Sequence, residues 1–144
     1  KGFIFTTSMC PAVAAGSLES MKQVQKKPEL RNEFFQNVNF VKNELTNAGI
    51  PFLDSGSHIV PVIVGDSKLC KEISDYLLNT HNVYVQPINY PTVPKGTERL
   101  RITPTPCHSR EVTQNFVEAL KDAWFKFMPR LSMVLEQKKA QKNL

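Results

Sequence analysis

The sequence predicts an α+β fold: a small, mostly antiparallel sheet with helices on one face. Three observations predict it. Segments with apolar residues at steps of three and four alternate with short β-branched runs, in the order α,α,β,α,β,β,α. Glycine and proline fall between these runs, at Gly49, Pro51, Gly56, Gly65, Pro91, Pro94 and Gly96, where turns are needed. The 144 residues are 41% apolar, enough for a sizeable core in one domain or in a piece of a larger one.

Taken in order, GFIFTTS reads as a short extended stretch in which Phe3 and Phe5 share one parity. A helix follows from Cys10-Pro11, with Val13, Ala14, Leu18, Met21 and Val24 on one stripe. Pro28 breaks that pattern and suits the first turn of the next helix. There Leu30, Phe34, Val38, Val41, Leu45 and Ala48 form the strongest periodic signal in the chain, stopped by Gly49 and Pro51. Ile59 to Val64 is β-branched and mostly apolar, a strand between two glycines. Asp66 or Ser67 caps a third helix carrying Leu69, Ile73, Tyr76 and Leu77. Val83 to Ile88 reads as a second strand, residues 89–96 as a stiff proline loop, and Leu100 to Thr103 as a third strand. Ser109 caps a last helix with Val112, Phe116, Leu120, Ala123, Trp124 and Phe127, and Pro129 is expected to end it, leaving a polar, basic tail with at most a short helix.

The formal charge of +5 is unevenly placed. Residues 1–125 hold 13 basic and 12 acidic side chains, whereas residues 126–144 hold five basic residues against Glu136. The body is nearly neutral, which argues against a nucleic-acid face on the folded part. Cys10, Cys70 and Cys107 are far apart and odd in number, without CxxC spacing, so neither a disulfide framework nor a zinc site is expected. Cys70 falls beside a helix stripe and reads as packing. His58, His81 and His108 lie in separate segments without ligand spacing, so no metal is expected. No run approaches the ~18 apolar residues that span a bilayer, and no GxSxG, Walker or GxGxxG pattern occurs. The first Met is Met9, so the true start is expected upstream of Lys1.

Three places could carry chemistry. Arg99, Arg101 and Thr103 share one strand parity while Leu100 and Ile102 take the other face. A rigid strand presenting Arg can grip a carboxylate through two parallel N–H···O bonds. A solvated sheet face paired with Glu98 or other acids is the alternative. Asn89-Tyr90-Pro91-Thr92-Val93-Pro94 is pre-organised by its prolines, so the Thr92 hydroxyl could meet the same acidic ligand, or the loop could be only a rigid connection. Thr6-Thr7-Ser8 places three hydroxyls before a helix start, which suits a phosphate or ordinary N-capping.

At these residues the chain resembles a known family. GFIFTTS, SHIVPVIVGD, HNVYVQPINYPTVPKGTERLRITPTP and the following Cys107-His108-Ser109 are similar, in order and spacing, to the C-terminal part of the 5-aminolevulinate synthases, from Gly2 to about Phe127. Other α-oxoamine synthases share a related strand but usually not the whole NYPTVPKGTERLRITPTP block. The resemblance implies the C-terminal domain of a fold-type I transferase with its linking helices, using pyridoxal 5'-phosphate and acting as a homodimer with a shared active site. It implies condensation of glycine with succinyl-CoA to 5-aminolevulinate, the first step of haem synthesis. The cofactor would act as an electron sink for the glycine carbanion. By the same resemblance Thr6 and Thr7 hold the cofactor phosphate, Arg101 binds the glycine carboxylate and Thr92 contacts the succinyl carboxylate. Arg99 falls inside the motif without a ligand role.

The family's Schiff-base lysine stands upstream of the FIFTTS segment, and none of Lys22, Lys26, Lys27, Lys68, Lys71 or Lys95 lies in its context. The 144 residues alone are therefore expected to be inactive. The implied organisation is residues 1–27 as the end of a large cofactor-binding domain, 28–127 as linking helix and small domain, and 128–144 as a basic tail. Met9-Cys10-Pro11 replaces the family's Leu-Pro-Pro, Lys95 stands for Arg, and the surroundings of Cys107 differ. The alternatives are another α-oxoamine synthase of the glycine acetyltransferase kind, or a non-enzymatic binding module with a basic tail. The family works in the mitochondrial matrix, with the bacterial cytoplasm as the alternative.

Overall fold

The computed structural model describes residues 8–142, in two compact units, residues 1–33 and 34–144. The expected strand in GFIFTTS lies outside the described residues. In the first unit, Pro11–Lys26 forms helix α1, with Pro11 in its first turn, where a missing N–H costs nothing. The apolar stripe predicted on it buries nothing: Val13, Leu18, Met21 and Val24 are all more than half exposed.

Helix α2 spans Pro28–Asn47. Its predicted stripe is a core face only from Val38 onward, where Val38, Val41 and Leu45 are buried, whereas Leu30 is exposed. Gly49, at φ +68°, ends the helix in the left-handed region, and the Ile50 N–H reaches back to the Leu45 carbonyl at 2.9 Å.

Three antiparallel strands follow: β1 (Val60–Ile63), β2 (Gln86–Ile88) and β3 (Arg99–Ile102), in the order β1-β3-β2. In register, Arg101 lies between Pro61 and Gln86, and Arg99 between Ile63 and Ile88. The core face carries Val60, Val62, Leu100 and Ile102. Helix α3 (Ser67–His81) packs on β2 and β3, and α4 (Arg110–Lys142) packs on α3, in keeping with the α+β fold predicted. Asp66 caps α3 by accepting the Leu69 N–H at 2.8 Å.

The strands β1 and β3 match the sequence prediction to within one residue, whereas two elements differ by more. The second strand is half its predicted length, because Val83–Val85 give their backbone groups to α3: the Val83 N–H donates to the Leu77 carbonyl, and the Val85 carbonyl accepts the Ser74 hydroxyl at 2.6 Å. Pro129 does not end the last helix. α4 spans Arg110–Lys142 and runs straight through it. Pro129 and Phe125, whose carbonyl would lose its partner, are both exposed, so water can serve that carbonyl. Beyond the proline, Leu131 is fully buried and Arg130 pairs with Glu72 of α3. Tertiary packing thus outweighs the local penalty. No helix among the described residues is long and apolar enough to cross a membrane.

Leu131→Ala should destabilise the protein by about 2–5 kcal/mol in urea unfolding, the range for an emptied leucine site. The neighbouring Met133→Ala, at an exposed position, should change stability by less than about 0.5 kcal/mol. Two neutral variants would mean that the helix ends at Pro129.

Candidate carboxylate-binding site on the central strand

β3 is the middle strand, so its backbone is bonded on both sides and its side chains are fixed in direction. Its two arginines behave differently. Arg99 is half-buried and its Nε donates to the Thr97 carbonyl at 2.8 Å. Arg101 is exposed, and among the described residues its guanidinium has no ion pair or hydrogen bond. It lines a cavity of about 560 Å³ together with Thr103, His108, Val112, Phe116 and Tyr84. The walls are mainly apolar, which strengthens any charge pair formed inside.

Glu98 is not the partner of either arginine. It has the parity of Leu100 and Ile102, points to the core side and is 3% exposed. Its carboxylate accepts the Gly96 N–H at 2.8 Å and the Ser67 hydroxyl at 3.1 Å. Thus the acid considered as a neutralising neighbour is engaged elsewhere, and Arg101 keeps its full donor set for a ligand.

The segment after β3 is shaped by a residue the sequence reading missed. Asn37 of α2 is buried, and its amide donates to the carbonyls of Thr105 (3.0 Å) and His108 (2.8 Å). His108 Nδ1 accepts the Thr105 N–H at 3.2 Å, which leaves the ring proton on Nε2 when the imidazole is neutral. Ser109 then caps α4 by accepting the Val112 N–H at 3.2 Å, as predicted. Arg110 stacks 3.4 Å from the centre of the Phe40 ring, tying the start of α4 to α2. The only sequence signal for Asn37 is a polar residue beside the apolar stripe of a strongly periodic helix.

Thr92 is exposed in the loop between β2 and β3, which contains a cis Tyr90–Pro91 bond, and its N–H donates to the Asn89 carbonyl at 2.9 Å. It is not among the walls of the Arg101 cavity. Thr6 and Thr7 lie outside the described residues. The cavity walls carry the Arg101 guanidinium, which fits a carboxylate, and no lysine amine to meet a cofactor aldehyde. No group of three or more His, Cys, Asp or Glu among the described residues could hold a metal ion.

The fold has counterparts in known proteins. The chain belongs to the aminotransferase class I and II family, whose model matches residues 1–120. At the level of individual relatives it is 52% identical over 124 residues to the 5-aminolevulinate synthase of Rhizobium meliloti, covering 86% of this chain and 31% of that protein. It is 47% identical over 123 residues to the mitochondrial 5-aminolevulinate synthase of Kluyveromyces lactis, covering 85% of this chain and 22% of that protein. Among solved structures it is similar to a serine palmitoyltransferase from S. paucimobilis with PLP and myriocin bound, at TM-score 0.78 and 25% identity over 86% of this chain and 31% of that one. The chain therefore spans less than a third of the length of these relatives.

Burial pushes the Cys70 thiol up to about 12, whereas Cys10 and Cys107 are exposed. At pH 8 a thiol with that pKa is about one part in ten thousand thiolate. A thiol reagent should therefore label Cys10 and Cys107 in the folded protein, and Cys70 only after denaturant is added. Rapid labelling of Cys70 under native conditions would contradict its burial.

Proposed function

We propose that the chain is the C-terminal part of a pyridoxal-phosphate-dependent acyltransferase that condenses glycine with succinyl-CoA, giving 5-aminolevulinate, CoA and carbon dioxide. The observation that carries this reading is the Arg101 guanidinium on the central strand, without a partner among the described residues and lining a cavity, in a chain about half identical to 5-aminolevulinate synthases over most of its length.

Arg101 grips the glycine carboxylate through two parallel N–H···O bonds, which fixes the α-carbon in one orientation. Thr92 donates its hydroxyl to the distal carboxylate of the succinyl group, the feature that separates a dicarboxylic acyl group from acetyl. Thr6 and Thr7 hold the cofactor phosphate, as hydroxyls ahead of a helix start suit an anion. Pyridoxal phosphate, when bound, withdraws electrons from the glycine α-carbon. The lysine that anchors it comes from residues other than these 144. Residues 1–27 then close a large cofactor domain, and residues 28–127, with the continuation of α4 beyond Pro129, form the linking helix and small domain. The enzyme is a homodimer with a shared site, working in the mitochondrial matrix or, in a bacterial source, in the cytoplasm.

The test uses a full-length protein that contains this chain. It should form 5-aminolevulinate from glycine and succinyl-CoA faster than it uses acetyl-CoA. Arg101→Leu should lower kcat/KM for glycine about a hundredfold, the size of a lost charge-assisted pair worth ~3 kcal/mol. Arg101→Lys should recover part of this, since a point charge replaces a fork. Better turnover with acetyl-CoA would assign the chain to a glycine acetyltransferase instead.

A further inference from the structure

Residues 89–98 form an irregular loop, yet one residue holds both of its ends. At the start, the Asn89 side-chain amide donates to the Ser67 carbonyl at 3.3 Å. At the end, the Ser67 hydroxyl donates to the buried Glu98 carboxylate at 3.1 Å. The second oxygen of that carboxylate accepts the Gly96 N–H at 2.8 Å, within the loop itself. Gly96 has φ +85°, a conformation that only glycine adopts cheaply and that here turns its N–H inward. The Glu98 carbonyl accepts the Val64 and Gly65 N–H groups, so the far end of the loop is also fixed to the end of β1.

Ser67 is the first residue of α3. The partial positive charge of a helix N-terminus favours a carboxylate there. Together with fixed donors, it makes a buried Glu98 tolerable. Thr92 sits mid-loop, and among the described residues its one hydrogen bond is from its N–H to the Asn89 carbonyl. Its position therefore depends on where the two loop ends are held. A loop already held gives up less conformational freedom when a ligand binds.

We propose that Ser67 is a positioning residue for the acyl-binding loop: its hydroxyl, by holding Glu98, fixes the segment that carries Thr92 and so sets the affinity for the acyl thioester. This rests on the acyltransferase reading above. Ser67→Ala deletes only the Glu98 end of the clamp, because Asn89 uses the Ser67 backbone carbonyl and Asp66 still caps α3. Arg101, two residues into β3, keeps its strand pairing. The effect should thus fall on the acyl thioester and spare glycine.

The experiment compares wild type, Ser67→Ala and Ser67→Thr in the full-length enzyme by amide hydrogen exchange over residues 89–98 and by steady-state kinetics. In Ser67→Ala, exchange in the loop should quicken about tenfold and KM for succinyl-CoA should rise about tenfold, the scale of one hydrogen bond to a charged group. kcat should stay within about twofold and KM for glycine should not move. Ser67→Thr should restore both readouts. Unchanged loop exchange in Ser67→Ala overturns the clamp. Faster exchange with an unchanged acyl KM overturns its role in binding. A wild-type enzyme that prefers acetyl-CoA sinks the substrate assignment alone. The Ser67→Ala effect is then read on acetyl-CoA, where a flat KM overturns the proposal as well.

Discussion

Between Glu98 and Ile102 the chain sends alternate side chains to opposite sides of a three-stranded sheet, and β1 and β2 lock that alternation by pairing on either edge. Glu98, Leu100 and Ile102 go inward. Arg99 and Arg101 go outward. A slip of one residue would drive two guanidinium groups into an apolar core and expose Leu100 and Ile102, so the register is strongly specified. Everything chemical in the structure follows from that register: an arginine on a rigid support, a cavity beside it, and an acid removed from its reach.

Helix α3 is the second support. It buries Leu69, Cys70, Ile73 and Leu77 against the sheet, and spends its polar side chains on the segments that flank it. Ser67 holds the loop before β3, and Ser74 takes the Val85 carbonyl before β2. α4 is fastened to the outer side of α3, where Tyr76 and His81 both meet the Asp122 carboxylate and Arg130 meets Glu72. The surface pairs contribute little individually in water. Their role is orientation, and the burial of Trp124 and Leu131 supplies the driving force.

Much of this was legible in the sequence because periodicity reports burial. The Val38, Val41 and Leu45 part of the α2 stripe and the Arg-Leu-Arg-Ile alternation of β3 name the core and the open face directly. The capping roles of Asp66 and Ser109 were also readable, because their chemistry is local. What was not legible depends on distant partners. Pro129 carries a strong local stop signal, and only the burial of Leu131 against remote residues overrides it. Val83–Val85 look like strand, but their backbone groups are claimed by Ser74 and Leu77 of the helix that ends just before them. The exposed stripe of α1 shows the converse: apolar spacing states that a face suits burial and says nothing of where its partner lies. Glu98 was the instructive case, since its parity with Leu100 already placed it inward, yet a carboxylate beside two arginines invited pairing by charge.

Asn37 has a consequence for the order in which the molecule assembles. Its amide holds carbonyls that lie 68 and 71 residues further along the chain. Bringing such distant points together requires closing a long loop, whose entropy is lost before the contact rewards it. The backbone bonds within α2 are local, whereas the turn between β3 and α4 takes its shape only with α2 docked. One wall of the Arg101 cavity therefore depends on α2, and loses its form when α2 loosens.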